Sequence, residues 1–592
     1  MGSRRQVRTV ITVRCTPDIT QPVVSEQKQP AIMADEKLSL RISHCIFVTG
    51  CSEMRMNMKL SIDGIKDKTA WEEAGIKLPA YDVRKVAENT KASPEWVHFG
   101  IGNIFRIFIG GIADSLIEQG VSDKGITCVE TFDFDVVDKI YEPFDNLVMA
   151  VTLKEDGSTD KRVLGSLTEA VKAQSASKEA WSRLKEIFAN PQLEMISFTI
   201  TEKGYALRDA KGAFFPFIQS DIDNGPDKAV SAMAVVAALL FERFNTCKAP
   251  LAVVSMDNCS HNGEKLRNSI TEMVREWQKK GYVGQDFADY VNDENVISFP
   301  WSMIDKITPR PADSVAAALE QAGVEQMKPV ITSKKTYIAP FVNAEGPQYL
   351  VIEDRFPNGR PQLEKAGVYM TDRDTVNKVE RMKVTTCLNP LHTALAVYGC
   401  ILGYNLIADE MKDKELSELV RRIGLVEGMP VVTDPGIISP EKFADEVLHV
   451  RIPNPFMPDT PQRIATDTSQ KVGIRYGETI KAYVEKEGSA ESLTAIPLAI
   501  AGWCRYLLGI DDNGESFELS ADPMAEELKA QLDGVRFAEP SSYTGQLKNL
   551  LSNANIFGIN LYEAGIGDKI EELFVEEIAG KGAVRATLKK YL

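Results

Sequence analysis

The feature that most constrains this chain is an alternation that begins near Trp96. Short apolar runs are followed by a turn and then by apolar residues recurring at helical spacing. WVHF (96–99) is the first run, GIGN (100–103) the turn, and IFRIFIGGIADSLIEQG the helical stretch, which ends at Gly120. GITCVET follows as a second strand. MISFTIT (195–201), LAVVS (251–255) and VISF (296–299) are further strands, with a helical stretch at Ala229–Phe244. Strands separated by helices pair in parallel through crossovers that cover both faces of a sheet. The expected fold class is therefore α/β, with an N-terminal doubly wound, Rossmann-type domain. After about Thr375 the texture changes to long helical patterns joined by Pro-rich connections such as RIPNPFMPDTP, which predicts a mostly α-helical C-terminal domain. The expected boundaries are 58–375 and 376–592. Residues 1–57 show neither period and carry eight basic and five acidic side chains. Met58 opens MKLSIDGIKDK like a natural start, so the preceding stretch is expected to be a disordered, dispensable extension.

Composition removes several function classes. The net charge is −16, and the chain beyond residue 57 is more acidic still at −19. That argues against a nucleic-acid partner, because binding a polyanion draws on clustered Lys and Arg. Nine cysteines without C-x-x-C spacing read as reduced thiols of a cytoplasmic protein. No apolar run approaches the roughly 18 to 20 residues of a membrane span. Five histidines, none forming a close pair on one helical face, offer no metal site.

Five segments carry chemistry. Gly100 and Gly102 stand where the first strand hands over to its helix. There a glycine permits a tight turn, a second lets a pyrophosphate approach the backbone, and the helix N-terminus offers free N–H groups. Phe105 holds the place of the usual third glycine, and a plain structural corner would look the same. Glu130, at the end of the second strand, is placed to accept ribose hydroxyls and repel a 2′-phosphate, with Asp133 or Asp135 as alternatives. In SMDNCSHNG (255–263), Asn258 and Asn262 fall at the C-terminal edge of a strand and suit an alcohol or carbonyl oxygen, although an Asn-rich turn would satisfy itself the same way. His261 reads as a turn residue. Asp305 follows the run at 296–299 and also reads as a helix cap or a partner of Lys306. The densest cluster is Lys383, Asn389 and His392. A desolvated Lys can serve as a base near neutral pH while Asn and His orient an oxygen. Asn389 and Pro390 also read as the start of a helix.

Seven ordered blocks between Trp96 and Tyr483 make the chain similar to a known family. They are HFGIGNIFR (98–106), TITEKGY (199–205), SMDN with NG (255–263), FPWSMIDKITP (299–309), VIEDRFPNGRP (351–361), the Lys/Asn/His cluster, and RIPNPFMPDTPQRIATDTSQK (451–471). The chain resembles the polyol-specific long-chain dehydrogenases, which include mannitol 2-dehydrogenase and fructuronate reductase. That resemblance implies metal-independent, NAD-dependent oxidoreduction, with NADP possible, at a site between a Rossmann domain and a helical domain. By matching motif it implies Lys383 as general base, Asn258 and Asn389 on the reacting oxygen, and His392 positioning the substrate. It implies Gly100, Gly102, Phe105, Arg106, Glu130 and Asp305 on the cofactor side, and Asn262 and Arg451 on the substrate side. The expected substrate is a small polyol, ketose or sugar acid of the mannitol/fructose or mannonate/fructuronate type. A sugar-phosphate dehydrogenase such as mannitol-1-phosphate 5-dehydrogenase, or a non-catalytic NAD-binding protein, are the alternatives. Oligomeric state is left open, a monomer being compatible.

One departure matters. Five residues separate Lys383 from Asn389 where the family has four. At roughly 100° per residue, the extra one would swing Lys and His to opposite sides of a continuous helix. Either Lys383 is not the base or the backbone breaks or bulges between Thr385 and Asn389; an interruption close to Asn389 is expected, and Pro390 favours it by disfavouring helix at the residue before it.

Overall fold

A computed structural model describes residues 57–592. The expected extension, Asn57 apart, lies outside the described residues. Six strands form the central sheet: β1 (Trp96–Phe99), β2 (Ile126–Glu130), β3 (Leu167–Lys172), β4 (Met195–Phe198), β5 (Leu251–Ser255) and β6 (Ile297–Ser298). Their order is β3-β2-β1-β4-β5-β6, with every neighbour parallel. Alternate side chains serve opposite faces. Val97, Phe99, Ile196 and Phe198 join one core cluster, and Trp96, Met195, Ala252 and Val254 the other. β4 stops short of the run predicted for it because Ile200 and Thr201 give their N–H groups to Asp257 at 2.9 Å each.

The strand order reverses between β1 and β4, and doubly wound sheets bind ligands outside the carboxyl ends of strands at such a point. The helix after β1 opens with a π turn, Phe105–Ile109, and continues as α1 (Gly110–Glu118).

Two of the three smaller sheets, not foreseen from the sequence, are built from strands of the first half of the molecule. One has the order Ile76–Lys77, Thr159–Leu164, Val148–Leu153, Phe341–Glu345. The other joins β7 (Ser302–Asp305) to Tyr349–Glu353 and Tyr369–Thr371. The last strand of the first sheet, β8 (Phe341–Glu345), ends at the candidate site. From α2 (Arg373–Met382) onward the chain is helical. Asp372 starts α2 by accepting the Thr375 N–H at 2.9 Å. The helical core extends into the first domain through Met303 and Val351. Among the described residues, no helix is long and apolar enough to cross a membrane, and no group of side chains could hold a metal ion.

Candidate active site

The glycine turn sits at the point where the strand order reverses. Gly100 has φ +88°, and a Cβ there would lie 2.3 Å from the Thr199 carbonyl oxygen beyond β4, so both backbone conformation and space demand glycine. Gly102 is different. A Cβ there would meet nothing within 4 Å and would project into the open crevice. Beside it, Asn103 Oδ1 is buried without a hydrogen-bond partner. A bare backbone, an orphaned polar atom and a helix N-terminus together fit the pyrophosphate of a dinucleotide.

Two residues expected on that cofactor do other work. The Phe105 ring is fully buried and stacks on His98 at 4.0 Å. Arg106, also buried, donates to the carbonyls of Ala339 (2.8 Å) and Pro340 (3.0 Å). Burial pushes its pKa down to about 10. Both hold the helix in place from below. Glu130 stands at the end of β2 but turns back into its own loop. Its Oε1 accepts the N–H groups of Thr131, Phe132 and Asp133 at 2.9–3.2 Å. Burial raises its carboxyl above the ordinary range despite these bonds.

The second half of the site forms where α2 meets the sheet edge. Lys383 is buried and donates from Nζ to Asn258 Oδ1 at 3.0 Å and to the Ile304 carbonyl at 3.2 Å. Burial pulls its amine below the lysine range while Asp305 opposes the shift. Asn258 is exposed and keeps its position because Asp257, next to it, is tied to Ile200, Thr201 and the Tyr205 hydroxyl (2.5 Å). Beyond Asn258 a cleft of about 880 Å³ opens between Ser260 and His261 on one side and Glu380, Val384, Thr385 and Gln470 on the other.

The expected interruption is present. Residues Lys383–Cys387 form a π turn, closed by a Leu388 N–H to Lys383 carbonyl bond of 3.1 Å. Leu388 then leaves helical geometry (φ −131°, ψ −61°), and α3 (Asn389–Leu402) starts afresh with Pro390 in its first turn. A π turn absorbs one extra residue, and proline at a helix start forfeits no bond. Asn389 and His392 thus open α3, both partly buried. Neither side chain hydrogen-bonds another described residue. Burial pushes the His392 pKa down to about 4, Asp459 opposing and Arg451 and Arg475 assisting, which leaves a neutral imidazole at pH 7.

Asp305 and Arg451 occupy the same buried space but face each other. Arg451 Nη1 and Nη2 reach the two Asp305 oxygens at 2.5 and 3.1 Å, and Nε and Nη2 reach Glu345 at 3.1 and 2.9 Å. Burial works against the Asp305 charge, yet Lys383 and Arg451 hold its carboxyl below the usual range. Two expectations change. Asp305 pairs with Arg451 and faces Lys383 rather than serving the dinucleotide, and Arg451 is committed to two carboxylates rather than free for a substrate. Asn262 is likewise consumed. Its Nδ2 donates to the Asp257 and Ser302 carbonyls (3.0 and 2.9 Å), and its Oδ1 accepts the Ser302 N–H (3.0 Å), so it fastens the Asn258 loop to β7 instead of meeting a substrate. The sequence reading missed Glu345 and Arg475. Arg475 donates to Thr393 Oγ1, which itself donates to the Asn389 carbonyl at 3.0 Å. No carboxylate among the described residues pairs with it, and burial lowers its pKa to about 10.

Comparison with known proteins agrees with this geometry. Residues 94–365 match the family model described as the mannitol dehydrogenase Rossmann domain, and residues 375–575 that of the mannitol dehydrogenase C-terminal domain. The D-mannonate oxidoreductase of Thermotoga maritima is 53% identical over 536 residues, covering 90% of this chain and 99% of the relative. Among solved structures, a substrate-free D-sorbitol dehydrogenase superposes with a TM-score of 0.71 at 25% identity, covering 87% of this chain and 98% of the other. The Pseudomonas fluorescens mannitol 2-dehydrogenase, in ternary complex with NAD and D-mannitol, gives 0.62 at 25% identity, covering 90% and 99%. With both domains matched in order and a relative aligned over nearly its whole length, the chain belongs to the mannitol dehydrogenase family of oxidoreductases acting on CH–OH groups.

Proposed function

We propose that this enzyme interconverts the secondary alcohol of an aldonate and the corresponding ketone, in the manner of mannonate and fructuronate, with Lys383 as the proton acceptor. The nicotinamide dinucleotide supplies hydride acceptance and donation. The chain's residues do the rest. A neutral lysine amine has two N–H groups. Those of Lys383 are taken by Asn258 Oδ1 and the Ile304 carbonyl, which leaves the lone pair for the substrate hydroxyl. Burial of the amine favours that neutral form. Asn258, anchored through its carbonyl oxygen, keeps its amide N–H groups for the oxygen that gains negative charge, and the N-terminus of α3 with Asn389 adds to the same stabilisation. The hydrogen bond from Lys383 to Asn258, made across the two domains, is the observation that carries this reading.

An aldonate rather than a polyol is favoured by Arg475 and by the name of the 53% identical relative. A guanidinium lacking an acidic partner, one hydrogen bond from the first turn of α3, suits a terminal carboxylate. Turnover assays test this: mannonate, mannitol and their phosphates with NAD+ and NADP+, and fructuronate, fructose and their phosphates with NADH and NADPH. Highest kcat/KM is expected for mannonate and fructuronate. Preference for a phosphorylated sugar overturns the substrate class, and dinucleotide binding without turnover of any of them overturns the enzymatic reading. Lys383→Ala should reduce kcat by about 10²- to 10⁴-fold with dinucleotide binding retained.

A further inference from the structure

His98, in β1, is fully buried, and the proton transfer described above makes no use of it. Burial pushes its pKa well below the ordinary histidine value, so the ring is neutral at pH 7. A neutral imidazole donates from one nitrogen and accepts at the other. Both nitrogens are engaged. Nδ1 lies 2.7 Å from Ser197 Oγ on β4, and Nε2 lies 2.9 Å from Thr199 Oγ1 just beyond it.

The other partners of these two hydroxyls decide which nitrogen carries the proton. Ser197 Oγ accepts the Trp96 indole N–H at 2.7 Å, and Thr199 Oγ1 donates to the Gly100 carbonyl at 2.8 Å. With the proton on Nδ1, Ser197 would receive two N–H groups and have no acceptor for its own hydrogen among the described residues. The bare Nε2 would then compete with Gly100 for the Thr199 hydrogen. With the proton on Nε2 every group is satisfied, as buried polar groups are. Trp96 donates to Ser197, Ser197 to His98, His98 to Thr199 and Thr199 to Gly100. The chain of bonds ends on the glycine turn. Drawn toward Thr199, the Gly100 carbonyl fixes the plane of the Gly100–Ile101 peptide. On the opposite side of that trans peptide, the Ile101 N–H favours the Glu130 carboxylate. The same imidazole stacks on Phe105, the first residue of the π turn that follows, at 4.0 Å and 11°. One side chain thus holds both the turn and the helix start that border the position fitted to a pyrophosphate.

We propose that His98 is a positioning residue for the dinucleotide: as the neutral Nε2–H tautomer it orients Gly100 through Thr199 and the helix start through Phe105. The proposal rests on the dinucleotide reading of the Gly100–Gly102 turn and deepens it. Two measurements on the full chain test it. In the ¹⁵N-histidine NMR spectrum, the His98 signals, assigned by their loss in His98→Gln, should show a protonated Nε2 and a bare Nδ1, unchanged between about pH 6 and pH 8. A protonated Nδ1, or a ring that titrates in that range, overturns the proposal. Fluorescence titration with NADH reads the consequence for binding. His98→Leu should weaken binding about tenfold or more, the scale of a lost buried hydrogen bond. Thr199→Val breaks the chain one link later with little change of shape and should cost as much. His98→Gln, whose amide N–H takes the place of Nε2 toward Thr199, should stay within about threefold of the parent. Binding by Thr199→Val equal to that of the parent, or by His98→Gln no better than by His98→Leu, overturns the positioning role and leaves the dinucleotide reading standing. Failure of the parent chain to bind NADH overturns both.

Discussion

Arg451 is ion-paired with Asp305 and Glu345 in one buried space, with the buried Lys383 amine and a neutral His392 beside them. Buried charge is tolerated when it is paired in this way, and removal of one member strands the others. Asp305→Asn is therefore expected to destabilise the fold by about 3–5 kcal/mol in denaturant titrations. It should also move the pH profile of alcohol oxidation. The Asp305 carboxylate favours the Lys383 ammonium, so its loss lowers the lysine pKa further, and the acid limb shifts to lower pH. A profile that stays in place would separate Asp305 from the base. Arg475→Ala should raise KM for mannonate roughly tenfold or more, the scale of a lost charge-assisted hydrogen bond, with mannitol kinetics little changed. Lys383 and Asn258 were legible because they stand in recognisable motifs. Glu345 was not, since it lies in a plain apolar strand, FVNAE, and meets Arg451 across 106 positions of sequence.

At the scale of elements, two irregular turns carry the site. The glycine turn was readable from residue type, but which glycine serves the backbone and which the ligand depends on neighbours from β4. Gly100→Ala should lower the melting temperature markedly, because left-handed backbone costs an L-residue about 1–2 kcal/mol before the clash with Thr199 is counted. Gly102→Ala should leave the melting temperature within a degree or two, since a methyl there touches nothing in the protein, yet weaken dinucleotide binding about tenfold or more. Equal melting losses for the two variants would remove the distinction. The break ahead of Asn389 was foreseeable because the gap is one residue longer than the family's and proline follows, so an unbroken helix would put Lys383 and His392 on opposite sides. Helix periodicity, however, does not specify that the extra residue is taken up as a π turn.

At the scale of the molecule, the two halves are joined by the Lys383 to Asn258 hydrogen bond and by Arg451, which reaches from the helical domain to carboxylates on β7 and β8. Elsewhere the helical core buries acids that the reaction does not use. Both Glu410 oxygens lack a partner, Gly399 of α3 leaves room for them, and burial raises the Glu410 pKa to about 10. Glu577, bonded to the Tyr398 hydroxyl at 2.7 Å, is raised to about 8. A carboxyl raised in the folded state binds a proton that the unfolded chain has already released. Stability therefore declines as pH rises from the unfolded value, about 4.5, toward the folded one. Glu410→Gln should flatten this decline, so the melting temperature falls less between pH 5 and pH 9 than in the parent chain. An unchanged slope would show that Glu410 is not neutral in the fold. The sequence alone determined the alternating parallel sheet, the helical second half, the glycine turn and the break before Asn389, because each depends on local sterics and on the period of burial. Only the tertiary structure decided which polar groups remain free to act. Arg451, Asp305, Asn262 and Glu130 are taken up by protein partners, while Asn258 keeps its amide N–H groups and Arg475 has no carboxylate partner among the described residues, and a hydrogen bond or ion pair depends on atoms that meet in space from distant parts of the chain.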